Sequence, residues 1–144
     1  MIRILLALLL SQLVVTAQAE IAVIAHVQNP LASLSESEVR KIFLGRLQLF
    51  PSSRTEILTL DQSVDSPTLA TFYHAEMDMT PSQLSGYRAA YLFSGKGRIP
   101  EIENDDLSVL ERVKATHNAI GYIDLDAVDN ETSLSGIKIL YRLP

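Results

Sequence analysis

Residues 56–73 decide the fold class: Glu56-Ile-Leu-Thr-Leu60, then Asp61-Gln-Ser-Val-Asp65, then Ser66-Pro-Thr-Leu-Ala-Thr-Phe-Tyr73. The first piece is apolar and β-branched, which suits a strand. The last opens with Ser66 as a cap and Pro67 at the first helical position, and places Leu69, Phe72 and Tyr73 at helical spacing. Only a short polar turn separates them. A strand feeding directly into a helix is the building step of an α/β domain.

The same alternation continues in both directions. Upstream, Ile21-Ala-Val-Ile-Ala-His-Val27 is a continuous apolar run closed by Asn29-Pro30, read as a strand covered on both faces, as in a parallel sheet. Ser35 with Glu38 three residues on forms a capping box, Leu34 and Val39 a staple, and Val39, Ile42 and Phe43 an apolar face that ends at Gly45. Downstream, Thr80-Pro81-Ser82-Gln83 repeats the helix start, with Met79 and Leu84 as staple and Leu84, Tyr87, Tyr91 and Leu92 carrying the period to Phe93. The segment 94–100 is a loop. A further helix is expected over 105–116 with Leu107, Leu110 and Val113 inward, and 119–123 and 137–141 read as closing strands.

The first 19 residues carry a different pattern. Arg3, the apolar run from Ile4 to Leu10, and Ala17-Gln18-Ala19 match a cleavable secretory signal. The run is too short and too interrupted for a spanning helix of about 20 apolar residues. The expected organisation is a signal over 1–19 and one α/β domain over 20–144, placed in the periplasm. Loss of Arg3 with the signal leaves 11 basic against 17 acidic residues. That balance opposes nucleic-acid binding, which needs clustered Lys and Arg. The chain has no cysteine, so neither disulfides nor thiol chemistry are available.

The turn 60–68 is the strongest site candidate, because ligands in open α/β sheets collect beyond the carboxyl ends of strands. A helix N-terminus there offers N–H groups and partial positive charge to an anion, and Ser66 and Thr68 add hydroxyls. Ser66 is also a good ordinary cap. Gly95-Lys96-Gly97-Arg98 admits two readings, an anion nest through Lys96 and Arg98 or a solvated loop. His26, His74 and His117 lack the spacing of a zinc site. No Gly-x-Ser-x-Gly elbow is present. Asp124, Asp126 and Asp129 lack the glycine and terminal glutamate of a calcium loop. Asn130-Glu-Thr132 is a glycosylation acceptor only in a eukaryotic secretory route. No cofactor fingerprint and no activated nucleophile appear, so no cofactor and no enzyme activity are expected.

Several pieces carry a resemblance. Ala25-His-Val-Gln-Asn-Pro30, the segment from Leu34 to Gly45, Phe72-Tyr73, the segment from Phe93 to Pro100, and Ala119-Ile-Gly-Tyr122 follow in an order that resembles the phosphate-type periplasmic solute-binding proteins. The resemblance implies a single periplasmic-binding-protein-like (type 2) lobe with a central, mostly parallel sheet flanked by helices. It also implies a small oxyanion such as phosphate as ligand, and a membrane transporter or sensor, or a second copy of the chain, as partner. In that family the turn carries an arginine, then Ser-Gly-Thr four residues on. Here these positions hold Gln62 and Ser66-Pro67-Thr68. Gln62 lacks the fixed charge and fork of arginine, and Pro67 lacks an N–H. The implied ligand contacts are Gln62, Ser66 and Thr68, and the implied affinity is weak. The second reading is a ligand-free accessory or signalling protein that kept the fold.

Overall fold

A computed structural model describes residues 18–128 and 133–144. Most of the signal segment (1–17), together with Asp129 and Asn130-Glu-Thr132, lies outside the described residues. The elements are β1 (Ile21–His26), α1 (Glu36–Phe43), β2 (Leu58–Gln62), α2 (Pro67–Met77), α3 (Pro81–Phe93), β3 (Glu101–Glu103), α4 (Asp106–Ala115), β4 (Ala119–Asp124), a 3₁₀ turn (Leu125–Ala127) and β5 (Ile137–Arg142).

The capping signals act as read. Glu38 Oε2 accepts the Ser35 N–H at 2.8 Å while Ser35 Oγ accepts the Glu38 N–H at 3.3 Å. Thr80 and Gln83 exchange the same pair of bonds at 2.8 and 3.2 Å. Each box satisfies two of the orphan donors that open a helix.

The sheet order is β3-β2-β4-β1-β5. β2 pairs in parallel with both β3 and β4, whereas β1 runs antiparallel to β4 and to β5. Four strands therefore share one direction, and β1 alone is reversed. The chain thus has a mixed α/β architecture with a five-stranded, mostly parallel sheet. Residues 21–25 are buried on both faces, as expected, but Val27 is exposed, and β1 is not a parallel strand. Burial on two faces sets the hydrophobic pattern, and strand direction leaves no trace in that pattern.

Alternate side chains of β1 serve two cores. Ile21, Val23 and Ala25 face a cluster with Phe43, Phe72 and Tyr122, and Ala22 and Ile24 face Val109, Leu110 and Val113 of α4. The Phe72 and Tyr122 rings stack at 3.9 Å between centroids, and Phe43 meets both edge-on at 4.9 and 5.4 Å. On the other side, Gly121 lets α4 approach. A Cβ there would lie 2.6 Å from Val109 Cγ1.

Two expectations about helix faces need correction. Leu107 does not face inward; it is exposed and Val109 takes its place, because the neighbouring Asp106 is the residue that turns toward the sheet. Leu92 is half exposed and Phe93 is 93% exposed, so the apolar stripe of α3 ends before its last turn. Residues 101–103, which carry no strand signal beyond a single isoleucine, form the edge strand β3 by pairing with β2. β2 is also shifted against the expected strand 56–60: it starts at Leu58 and extends two residues further, through Asp61 and Gln62.

Candidate functional site

Because β2, β3 and β4 run in parallel, their carboxyl ends meet at one edge of the domain, and α2 and α4 start there. Gln62 closes β2 and is fully buried. Ser66 caps α2, accepting the Leu69 N–H at 3.3 Å, and its hydroxyl donates to Gln62 Oε1 at 2.6 Å. Thr68, in the first turn of α2, is 5% exposed. The three residues singled out from the sequence are thus brought together.

Two of them, Gln62 and Thr68, meet on a residue that the sequence did not single out. Asp106, the first residue of α4, accepts the Gln62 Nε2–H at 2.9 Å and the Asp124 N–H at 2.8 Å on Oδ1, and the Thr68 hydroxyl at 3.0 Å on Oδ2. The other Gln62 amide hydrogen goes to the Tyr122 carbonyl at 3.1 Å. A cradle of uncharged donors therefore holds one carboxylate. In the first turn of α2, Pro67 has no N–H, and the N–H groups of Leu69 and Ala70 bond to Ser66 Oγ and Ser66 O. No local signal identifies Asp106, since an Asp-Asp pair before an apolar run reads as a helix cap. Asp105 does act as that cap, accepting the Ser108 N–H at 2.8 Å.

Directly behind the cradle lies a buried ion pair. Asp61 is fully buried and accepts from the hydroxyls of Tyr73 and Tyr122, from Arg88 Nη2, and from the Gln62 N–H at 2.7 Å. Arg88 also donates to Tyr73 Oη at 2.9 Å. Burial, and then the nearby Asp61 charge, push both tyrosine hydroxyls well above their ordinary pKa, so they stay protonated and donate. The network locks the end of β2 and thereby the position of Gln62.

The second pair of candidates is not brought together. Arg98 closes both guanidinium nitrogens on Glu56 at 2.9 and 3.0 Å and lines the cleft between residues 45–49 and 98–101. Lys96 lines a separate hollow with Arg46, Tyr87 and Tyr91. The histidines differ from their sequence spacing too: the His26 and His117 rings lie 4.2 Å apart. Among the described residues no group of three or more His, Cys, Asp or Glu side chains is placed to hold a metal. Asp124 Oδ1 accepts the Asp126 N–H at 3.0 Å and so caps the 3₁₀ turn.

No helix among the described residues is long and apolar enough to cross a membrane. No protein-family model matches the chain, and no curated protein matches it. Solved structures do. An ABC-type phosphate transport receptor from Vibrio cholerae superposes with a TM-score of 0.64 at 15% identity, over 85% of this chain and 45% of the receptor. A putative phosphate ABC transporter substrate-binding protein with bound phosphate from Clostridium perfringens gives 0.64 at 18% identity, over 85% and 44%. PstS from Borrelia burgdorferi gives 0.65 at 17% identity, over 85% and 46%. The chain thus spans less than half the length of these solved relatives in fold.

Proposed function

We propose that this protein is a solute-binding lobe of the phosphate-receptor type that recognises a small oxyanion, phosphate first, weakly at the N-terminal end of α2. Gln62, Ser66 and Thr68 form the recognition set, and the lobe acts in the periplasm beside a membrane transporter or sensor. One observation carries the reading. Gln62 and Thr68, together with the Asp124 N–H, hold a carboxylate at 2.8–3.0 Å. A carboxylate is itself an oxyanion, so these donors have the spacing that oxyanion recognition requires. No arginine joins them, and Pro67 contributes no N–H, so a free anion gains neutral hydrogen bonds only. Each is worth about 0.5–1.5 kcal/mol net against 1.5–3 for a charged donor, which favours affinity near the millimolar range.

Calorimetry and melting shifts of the purified protein with inorganic phosphate and sulfate test this. Weak heats at several millimolar phosphate that vanish in Thr68→Val support the reading, and complete absence of heat and shift removes it.

A second reading, a ligand-free accessory protein that docks a partner, is favoured by one feature. Val64 and Leu107 are about half exposed, and they stand two and one positions in sequence from Gln62 and Asp106. Apolar side chains there suit a protein contact better than an anion's hydration shell. Crosslinking from the Val64 position in periplasmic extract checks it: a specific adduct lost in Leu107→Asp supports docking, and its absence opposes it.

A further inference from the structure

We infer that Asp106 is a built-in competitor for the oxyanion cradle, and that this one carboxylate keeps the lobe from being a receptor of useful affinity. The inference rests on the proposed reading of Gln62, Ser66 and Thr68, and adds what controls that site.

The side-chain donors that would meet an incoming anion are taken. Both Gln62 amide hydrogens are used, one by Asp106 and one by the Tyr122 carbonyl. The Thr68 hydroxyl goes to Asp106, and the Ser66 hydroxyl goes to Gln62 Oε1. Gln62 is fully buried and Thr68 nearly so, so neither can turn to a second partner in solvent. Asp106 is more exposed than either donor residue, and its carboxylate already occupies their hydrogens. Displacing it costs three hydrogen bonds at once.

A tethered ligand also competes as though present at high concentration, about millimolar even for a loose tether and far more for an oriented one. Asp106 is oriented by α4, whose start is capped by Asp105. A free anion at lower concentration therefore loses. Charge adds to this, because a phosphate dianion approaching an occupied cradle meets a fixed negative group.

Removing the side chain reverses the balance. In Asp106→Ala the Gln62 amide, the Thr68 hydroxyl and the Asp124 N–H are left facing a space that held two oxygens. A small oxyanion fills it and restores all three bonds. Asp106→Asn does not open the cradle, since its carbonyl oxygen still accepts from Gln62 and Asp124 while the Thr68 hydroxyl turns to accept from the new amide.

The test is calorimetry of wild type, Asp106→Ala, Asp106→Asn and the double variant Asp106→Ala/Thr68→Val with phosphate, sulfate and formate. The expected result is at least about tenfold tighter binding in Asp106→Ala than in wild type, the factor by which a millimolar tethered competitor masks a site of sub-millimolar affinity. No gain is expected in Asp106→Asn, and the gain disappears in the double variant. A folded Asp106→Ala with unchanged affinity overturns the inference, and so does a gain that survives Thr68→Val. If Asp106→Ala does not fold alone, recovery of its melting transition by formate or phosphate but not by chloride supports the inference, and failure of every anion to restore it overturns it. The two readings fail separately. Wild-type binding that requires Thr68, with no gain in Asp106→Ala, leaves the proposed function and removes only the competitor.

Discussion

Arg88 reaches from the middle of α3 to close an ion pair with Asp61, a carboxylate with no solvent exposure at the end of β2. The pair is held in place by Tyr73 and Tyr122, whose hydroxyls donate to the same carboxylate. A buried pair of this kind is weak evidence for net stabilisation, but breaking it leaves an uncompensated charge. Arg88→Met is expected to lower stability by about 3–5 kcal/mol. Adding Asp61→Asn removes the orphaned charge and still offers the tyrosines an acceptor, so the double variant should recover at least about 1 kcal/mol of coupling. Urea denaturation of the four proteins measures it. Additive losses would mean that the two side chains do not act as a pair.

Glu76 poses the opposite electrostatic problem. It is 3% exposed, Oε1 accepts the Tyr141 hydroxyl at 2.9 Å, and Oε2 is buried without a hydrogen-bond partner among the described residues. Burial first, opposed by the Tyr141 bond, raises its pKa above the ordinary carboxylate value, and its partner Tyr141 is pushed up to about 12. A carboxyl whose folded pKa lies above its unfolded one stabilises the fold below the unfolded pKa, and that contribution is lost as pH rises through the folded value. Glu76→Gln is therefore expected to raise the melting midpoint at pH 7 and to do little at pH 4. Tyr141→Phe should cost about 1–3 kcal/mol at pH 7, because it leaves both oxygens unsatisfied. Melts at the two pH values decide it, and equal effects of Glu76→Gln at both would remove the explanation.

The elements were legible where local chemistry specifies them. Ser35 with Glu38 and Thr80 with Gln83 mark helix starts through bonds only three residues long, and Ser66-Pro67 marks a third. The grouping of Gln62, Ser66 and Thr68 in the candidate site was legible for the same reason, since they lie within one βα turn. Its completing residue was not. Asp106 meets Gln62 across 44 residues of chain, and an aspartate at a helix start looks identical whether it caps that helix or reaches another. Arg88 was hidden likewise: on α3 it reads as a solvated charge, and only the fold shows Asp61 beneath it. Strand direction at β1 and the edge strand 101–103 were invisible because pairing, not side-chain period, defines them.

His26 and His117 form a second pair that sequence spacing conceals. Their rings lie 4.2 Å apart, and His26 Nδ1 accepts the Gln28 N–H at 3.0 Å, so it carries no proton there. Burial first and the His117 charge second lower the His26 pKa below 6.5. A histidine with a depressed folded pKa contributes stability that is present above its unfolded pKa and is lost as pH falls through the folded value. Stability should thus decline below pH 6.5 through this pair. A proton NMR titration should find His26 titrating below the ordinary histidine value, and His117→Ala should move it part of the way back. A normal His26 titration in wild type would exclude the pair as an acid-sensitive contact.

Gly121 links packing to the cradle. It lies in β4, one residue before Tyr122, and α4 crosses it so closely that an added Cβ would sit 2.6 Å from Val109 Cγ1. Gly121→Ala must push α4 outward or force Val109 off its rotamer, a strain of about 1–3 kcal/mol for overpacking a filled core. Since α4 carries Asp106 at its first position, the same push loosens the contacts of that carboxylate with Gln62 and Thr68. Val109→Ala in the same chain clears the clashing methyl and should restore most of the loss, although Val109→Ala alone destabilises by leaving a cavity. Thermal denaturation of the two single variants and the double variant separates the cases. A double variant less stable than either single one would show that the approach of α4 over Gly121 is not what limits the residue at that position.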